Sequence, residues 1–127
     1  MNIFYLDRDV KTCATYHNDK HVVKMILEYA QLLSTAHRML DGKEYIDASS
    51  GRRIKRWRLE DDQMENMLYK ASHINHPSAI WARQSNNNYN WLMCLLQDLL
   101  QEYTYRYGKI HATDRLVYWL RKPPANI

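Results

Sequence analysis

From Asp19 to Leu40 apolar side chains return at every third or fourth position: Val22, Met25, Ile26, Tyr29, Leu32, Leu33, Ala36 and Leu40. That is the helical period, and it predicts one helix of about six turns at 3.6 residues per turn. Asn18-Asp19 offers a start, with side-chain oxygens for the unpaired N–H groups of a first turn; Asp41-Gly42 offers the stop. Val23, Leu27 and Ala30 fill in the remaining sides, so this helix is expected to be buried on nearly every face. A chain built around such an element carries only three Gly and three Pro in 127 residues. Sandwiches and barrels need more turn residues than that. The expectation is one all-α domain over 1–127, long enough to bury its own core, with three to five helices and a short extended N-terminal segment, NIFYLD.

The other elements follow from the same signals. Asp7 or Asp9 would cap a helix over Val10–His17. Residues 43–60 read as a loop or short helical piece, and Asp61–Lys70 as a helix. Pro77 suits a helix start. A long helix is expected from about Ser78 to Tyr107, closed by Gly108, with a kink or break in the weak helix former QSNNNYN (84–90). Thr113–Leu120 would be the last helix, capped by Thr113 or Asp114 and stopped by the prolines of KPPANI.

Several classes are excluded or disfavoured. No apolar run approaches the ~18 residues of a membrane span, so no membrane partner is expected. MNIFYLDRD lacks the basic-then-apolar pattern of a signal peptide. Cys13 and Cys94 lie in apolar-periodic segments and read as two buried thiols of a cytoplasmic protein. There is no glycine-rich phosphate loop. The net charge of +4 permits an anionic partner. Ten Tyr and four Trp against one Phe favour rings with a polar edge, suited to base stacking as well as to a core.

Candidate chemistry begins on the first long helix. His17, His21, Lys24, Glu28, Gln31 and Thr35 follow at steps of three or four and share one face. A carboxylate on a buried helix is costly unless paired or used, which singles out Glu28 as an acid/base residue beside His21 and Lys24. The plain alternative is a solvated polar stripe. His17-x-x-x-His21 also has metal-ligand spacing, with Asp19 adjacent. An imidazole that orients a neighbour is the favoured reading, and no metal or cofactor is assigned.

Three further segments suit a nucleic acid. GRRIKRWRLE places Arg52, Arg53, Lys55, Arg56 and Arg58 around Trp57, where cations would meet phosphates and the ring a base. In 73–91, His76 precedes Pro77, and Arg83 stands one turn from Asn86 and Asn87, with Asn88 and Asn90 beyond; side-chain amides can read base edges. EYTYRYGKIH sets Tyr103, Tyr105 and Tyr107 beside Arg106 and Lys109. The expected partner is double-stranded DNA, bound by a monomer. A charged solvated loop and a tyrosine-rich core are the ordinary alternatives.

Asp19-Lys20-His21 followed by Glu28 resembles the phage pyrimidine-dimer DNA glycosylase (endonuclease V) family. That family carries Asp-x-His on its first long helix, with a catalytic Glu seven residues after the His. Gly42-Lys43, Asn75-His76-Pro77 and Tyr105-Arg106-Tyr107-Gly108-Lys109 resemble further family segments, although 18 residues follow Lys109 here, where the family's chain ends. The resemblance implies a helical DNA-repair enzyme of the host-cell cytoplasm, needing no cofactor. Its N-terminal α-amine attacks C1′ of a damaged nucleoside, expels the base and forms a Schiff base from which strand cleavage follows. Glu28 would manage protons and stabilise the sugar cation, with His21, Asp19, Lys24, Gln31 and His76 in support. The sequence departs from the family at Asn2, where a small residue is usual, and at Gln31, where the family has Arg. A bulky second residue keeps Met1, so the nucleophile would be the Met1 amine or a water activated by Glu28. Two other classes stay open on the residues alone: a non-enzymatic nucleic-acid- or nucleotide-binding accessory protein, and a metal hydrolase using His17 and His21.

Overall fold

A computed structural model describes residues 2–127. After an N-terminal arm without regular structure come α1 (Val10–Tyr16) and α2 (Asp19–Asp41). Next are β1 (Lys43–Asp47), β2 (Ile54–Arg58) and α3 (Asp62–Met67), then α4 (Pro77–Ala82) and α5 (Asn86–Tyr107). A 3₁₀ turn (Ala112–Leu116) leads into α6 (Val117–Leu120). Side-chain caps start three helices, the first two as expected and the third at the expected Pro77 start. Asp9 accepts from Thr12 N, Asn18 from His21 N, and His76 Nδ1 from Ser78 N ahead of Pro77. The last segment is started by His111, which accepts from Thr113 N, instead of by Thr113 or Asp114.

The core is α2 laid against α5 and α4, with α1 on α5. Met25, Ile26, Tyr29, Leu32 and Leu33 of α2 are buried with Tyr89, Leu92, Leu95, Leu96 and Leu99 of α5. Each such side chain contributes about 1.5–3 kcal/mol on burial. No helix of the described residues is long and apolar enough to cross a membrane.

Three expectations are corrected. The fold is not all-α: residues 43–58 form an antiparallel hairpin, and the described residues hold six α-helices. Both strands are short and mostly polar, so they lack the apolar alternation that marks a half-buried strand. Cross-strand charge supports the pairing instead, with Lys55 Nζ 3.6 Å from Glu44 and Arg56 Nε 4.0 Å from Asp47. An isolated hairpin is marginal in water, and this one is pinned to α2. Arg38 donates to the Trp57 carbonyl at 2.8 Å, and Gly42 lets β2 approach, because a Cβ there would meet Arg38 O and lie 2.9 Å from Trp57 Cβ. Second, α2 is buried all round only from Tyr29 to Arg38, Gln31 excepted; near its start Val23 and Leu27 are 42% and 40% exposed. Third, Cys13 is buried but Cys94 is exposed. The expected break in the C-terminal helical stretch is present, at 83–85, where the Ser85 hydroxyl accepts from Asn88 N and starts α5.

Candidate functional site

The N-terminal arm lies beside the first half of α2 and separates two hollows. Asn2 and Phe4 face one, a cleft of about 140 Å³ completed by His21, Lys24, Met25 and Glu28. Ile3 and Tyr5 face the other, a groove of about 520 Å³ completed by Pro77, Ser78 and Trp81. Helical spacing explains the first set: positions 21, 24, 25 and 28 fall on one side of α2 across two turns. His21 and Glu28 are half-buried and Lys24 is exposed. Among the described residues, none of these three side chains enters a hydrogen bond or ion pair. Phe4 lies against the His21 ring, with centroids 4.5 Å apart and planes at 32°. Gln31, one turn beyond Glu28, is half-buried and does not line the cleft. Met1 lies outside the described residues.

The arm is held by side chains the sequence reading did not single out for this. Phe4 N–H donates to the Tyr29 hydroxyl at 3.0 Å, and the Cys13 thiol donates to Phe4 O at 3.1 Å. His17 is buried and uses both ring nitrogens, Nδ1 on the Cys13 carbonyl at 2.8 Å and Nε2 on the Tyr29 hydroxyl at 2.9 Å. Burial pushes its pKa down, opposed by the Cys13 carbonyl and reinforced by His21 and Arg106. With both nitrogens engaged, His17 has none to offer a metal beside His21. No cluster of three or more potential metal ligands occurs among the described residues.

Asp19, Arg106 and Tyr107 tie the C-terminal end of α5 to the start of α2. Arg106 reaches Asp19 at 3.0 Å, Glu102 at 2.9 Å and the Thr15 carbonyl at 3.1 Å; Tyr107 donates to Asp19 O. Arg106 is thus occupied within the fold, while Tyr105, 85% exposed, and Lys109 point to solvent. Gly108 ends α5 with a left-handed φ of 67°, which glycine adopts without strain.

The basic stretch divides. Lys55 and Arg56 are matched across the hairpin by Glu44 and Asp47, and Arg58 pairs with Asp62 at 2.8 Å. Arg52 and Arg53, at the hairpin tip, are exposed and have no ion pair among the described residues. Trp57 is half-buried against Gly42. The hairpin follows α2, so its root lies about 20 Å along the helix axis from Glu28 at 1.5 Å per residue. Sequence reasoning missed the residue that roots it. Arg38 is buried and spends all five N–H groups on Tyr69 O, Trp57 O, Leu68 O, Glu65 O and the Glu65 carboxylate.

Beyond the aromatic groove, Tyr5 stacks on Trp91 at 4.9 Å and Trp81 meets Trp91 edge-on at 6.1 Å. Asn87 is exposed on the first turn of α5, and Asn88 donates to Trp81 O. Arg83 donates to Ile74 O at 2.8 Å, and burial lowers its pKa. His76 is committed to capping α4, so the Ser78 amide is not open to a phosphate. Comparison of this chain with known protein families, curated proteins and solved structures found no match.

Proposed function

We propose that this protein is a DNA N-glycosylase that removes a damaged or modified base from double-stranded DNA. The observation that carries the reading is the cleft in which Asn2, His21, Lys24 and Glu28 come together. It brings Asn2 of the N-terminal arm to a carboxylate and an imidazole on one face of α2, and the His21 and Glu28 side chains are unspent among the described residues.

The chemistry needs little more. A nucleophile attacks C1′, the C1′–N bond breaks, and its electron pair leaves with the base. Positive charge develops on the sugar, which a fixed carboxylate at Glu28 stabilises without rearranging. His21 or Glu28 takes the proton that the nucleophile loses. The nucleophile is the chain-start amine, whose ordinary pKa of about 8 leaves a usable neutral fraction at pH 7, or a water held by Glu28. An amine attack leads to a Schiff base and lyase activity; a water attack leaves an abasic site. Arg52 and Arg53 supply phosphate contacts, and the rings of Tyr5 and Trp81 supply faces on which bases stack.

Incubation with end-labelled duplex carrying damaged or abasic sites, with and without borohydride, tests the proposal. A trapped protein–DNA adduct identifies the amine; base release without trapping identifies water. Neither adduct nor base release across a panel of damaged duplexes, with DNA binding retained, would leave a non-enzymatic binding protein.

A further inference from the structure

The buried polar cluster under the arm has more chemistry in it than packing requires. Three arm groups, Phe4 N–H, Phe4 C=O and Leu6 N–H, bond to two buried side chains, and Leu6 N–H also donates to Phe4 O at 3.1 Å. Tyr29 accepts from Phe4 N at 3.0 Å; the Cys13 sulfur donates to Phe4 O at 3.1 Å and accepts from Leu6 N at 3.4 Å. The proton order is determined by elementary valence. A carbonyl only accepts, so His17 Nδ1, 2.8 Å from Cys13 O, carries the ring proton. In the neutral ring Nε2 is then bare and accepts the Tyr29 hydroxyl proton across 2.9 Å. The Tyr29 oxygen is left facing the arm with a lone pair for Phe4 N–H. Tyr29 and Cys13 are fully buried and His17 is 1% exposed. A phenylalanine at 29 would fill the same core volume without burying a hydroxyl, whose desolvation costs free energy unless it is hydrogen-bonded.

We infer that Tyr29, oriented by His17 and assisted by Cys13, is a positioning residue: it fixes the N-terminal arm so that Asn2 is presented to the His21–Glu28 cleft. Phe4 is the pivot. Its backbone is held by Tyr29 and Cys13, and its ring lies against His21 on one side and meets His17 edge-on at 5.9 Å on the other. Residue 2 then follows into the cleft. The catalytic consequence rests on the glycosylase reading; the fixing of the arm does not.

The test is Tyr29→Phe, read two ways. Amide hydrogen exchange at Phe4 should accelerate by about tenfold or more, with core amides of α2 and α5 unchanged. In base release, kcat should fall by about tenfold while KM for duplex DNA changes much less, because the Arg52 and Arg53 phosphate contacts on the hairpin tip are untouched. Cys13→Ala is the second variant should Tyr29→Phe not fold; it should accelerate exchange at Leu6 and give the same split. Unchanged exchange in the folded variants would overturn the inference, as would faster exchange with unchanged kcat in an active parent. Faster exchange in a protein whose parent releases no base would keep the arm device and discard the glycosylase reading.

Discussion

The two halves of α2 handle polar side chains in opposite ways. In the second half Arg38 is buried and every one of its N–H groups has an acceptor, shared among β2, α3 and the segment 68–69. His37 is buried there too, its Nε2 2.7 Å from the Tyr89 hydroxyl, which donates to Leu120 O. Nearby, the Asp41 carboxylate accepts from Ala125 N, Asn126 N and the Asn126 amide. In the first half the side chains of His21, Lys24 and Glu28 border a cleft and, among the described residues, enter no hydrogen bond or ion pair. Polar groups of the second half are spent on holding the fold. In the first half Asp19 pairs with Arg106, but the three cleft side chains are unspent, and the paired groups around them, His17, Tyr29 and Cys13, hold the arm beside them. The contrast separates polar groups spent within the fold from polar groups left unspent on one helix.

The largest effect on stability should come from Arg38. Arg38→Met leaves the Glu65 carboxylate and four carbonyl groups without their donor, and removing one partner of a buried pair costs about 3–5 kcal/mol. Urea denaturation measures it; a loss under about 1 kcal/mol would mean that the hairpin and α3 hold without this root.

Acid should act next, through the same half. Burial pushes the His37 pKa down to about 4, with the Asp41 charge and the Lys122 carbonyl pulling the other way. The unfolded chain, with His near 6.5, then binds the proton more readily than the folded one. Stability is therefore full above pH 6.5 and falls as pH drops towards 4, by up to about 3 kcal/mol at about 1.4 kcal/mol per pH unit. His37→Gln should flatten that part of the pH–stability curve. Parallel losses in parent and variant would assign the acid sensitivity elsewhere.

DNA binding sharpens the comparison without touching stability. Arg52→Ala and Arg53→Ala should each lower the log–log salt slope of duplex binding by about one. Lys55→Ala should change it less, since that cation already faces Glu44. Equal slopes for the parent and the Arg52 and Arg53 variants would remove the hairpin tip from the DNA surface.

How much of this was legible in the sequence depends on range. α2, its Asn18 cap, its Gly42 stop and the His76-Pro77 start follow from local spacing and cap chemistry, and the structure has them. The hairpin was not legible, because KEYID and IKRWR take their pairing from each other and from Arg38, and neither strand shows an apolar face. The grouping of His21, Lys24 and Glu28 could be read from one helix. The arrival of Asn2 beside them could not, since it depends on Tyr29 and Cys13 reaching Phe4 across 25 and 9 positions. Arg38 went unread for a similar reason: its five acceptors come from three later segments, and four of them are backbone carbonyls, which carry no side-chain signature.

The most direct test is the rate of base release by Glu28→Gln on damaged duplex DNA, measured with its stability and DNA affinity. Glu28 has no side-chain partner among the described residues, so the substitution should change stability by less than about 0.5 kcal/mol and leave DNA binding intact. The loss of a fixed negative charge from the cleft should lower cleavage by roughly 10²-fold or more. A folded Gln variant that binds and cleaves like the parent would contradict the account, and the unspent cleft would then be only a binding surface.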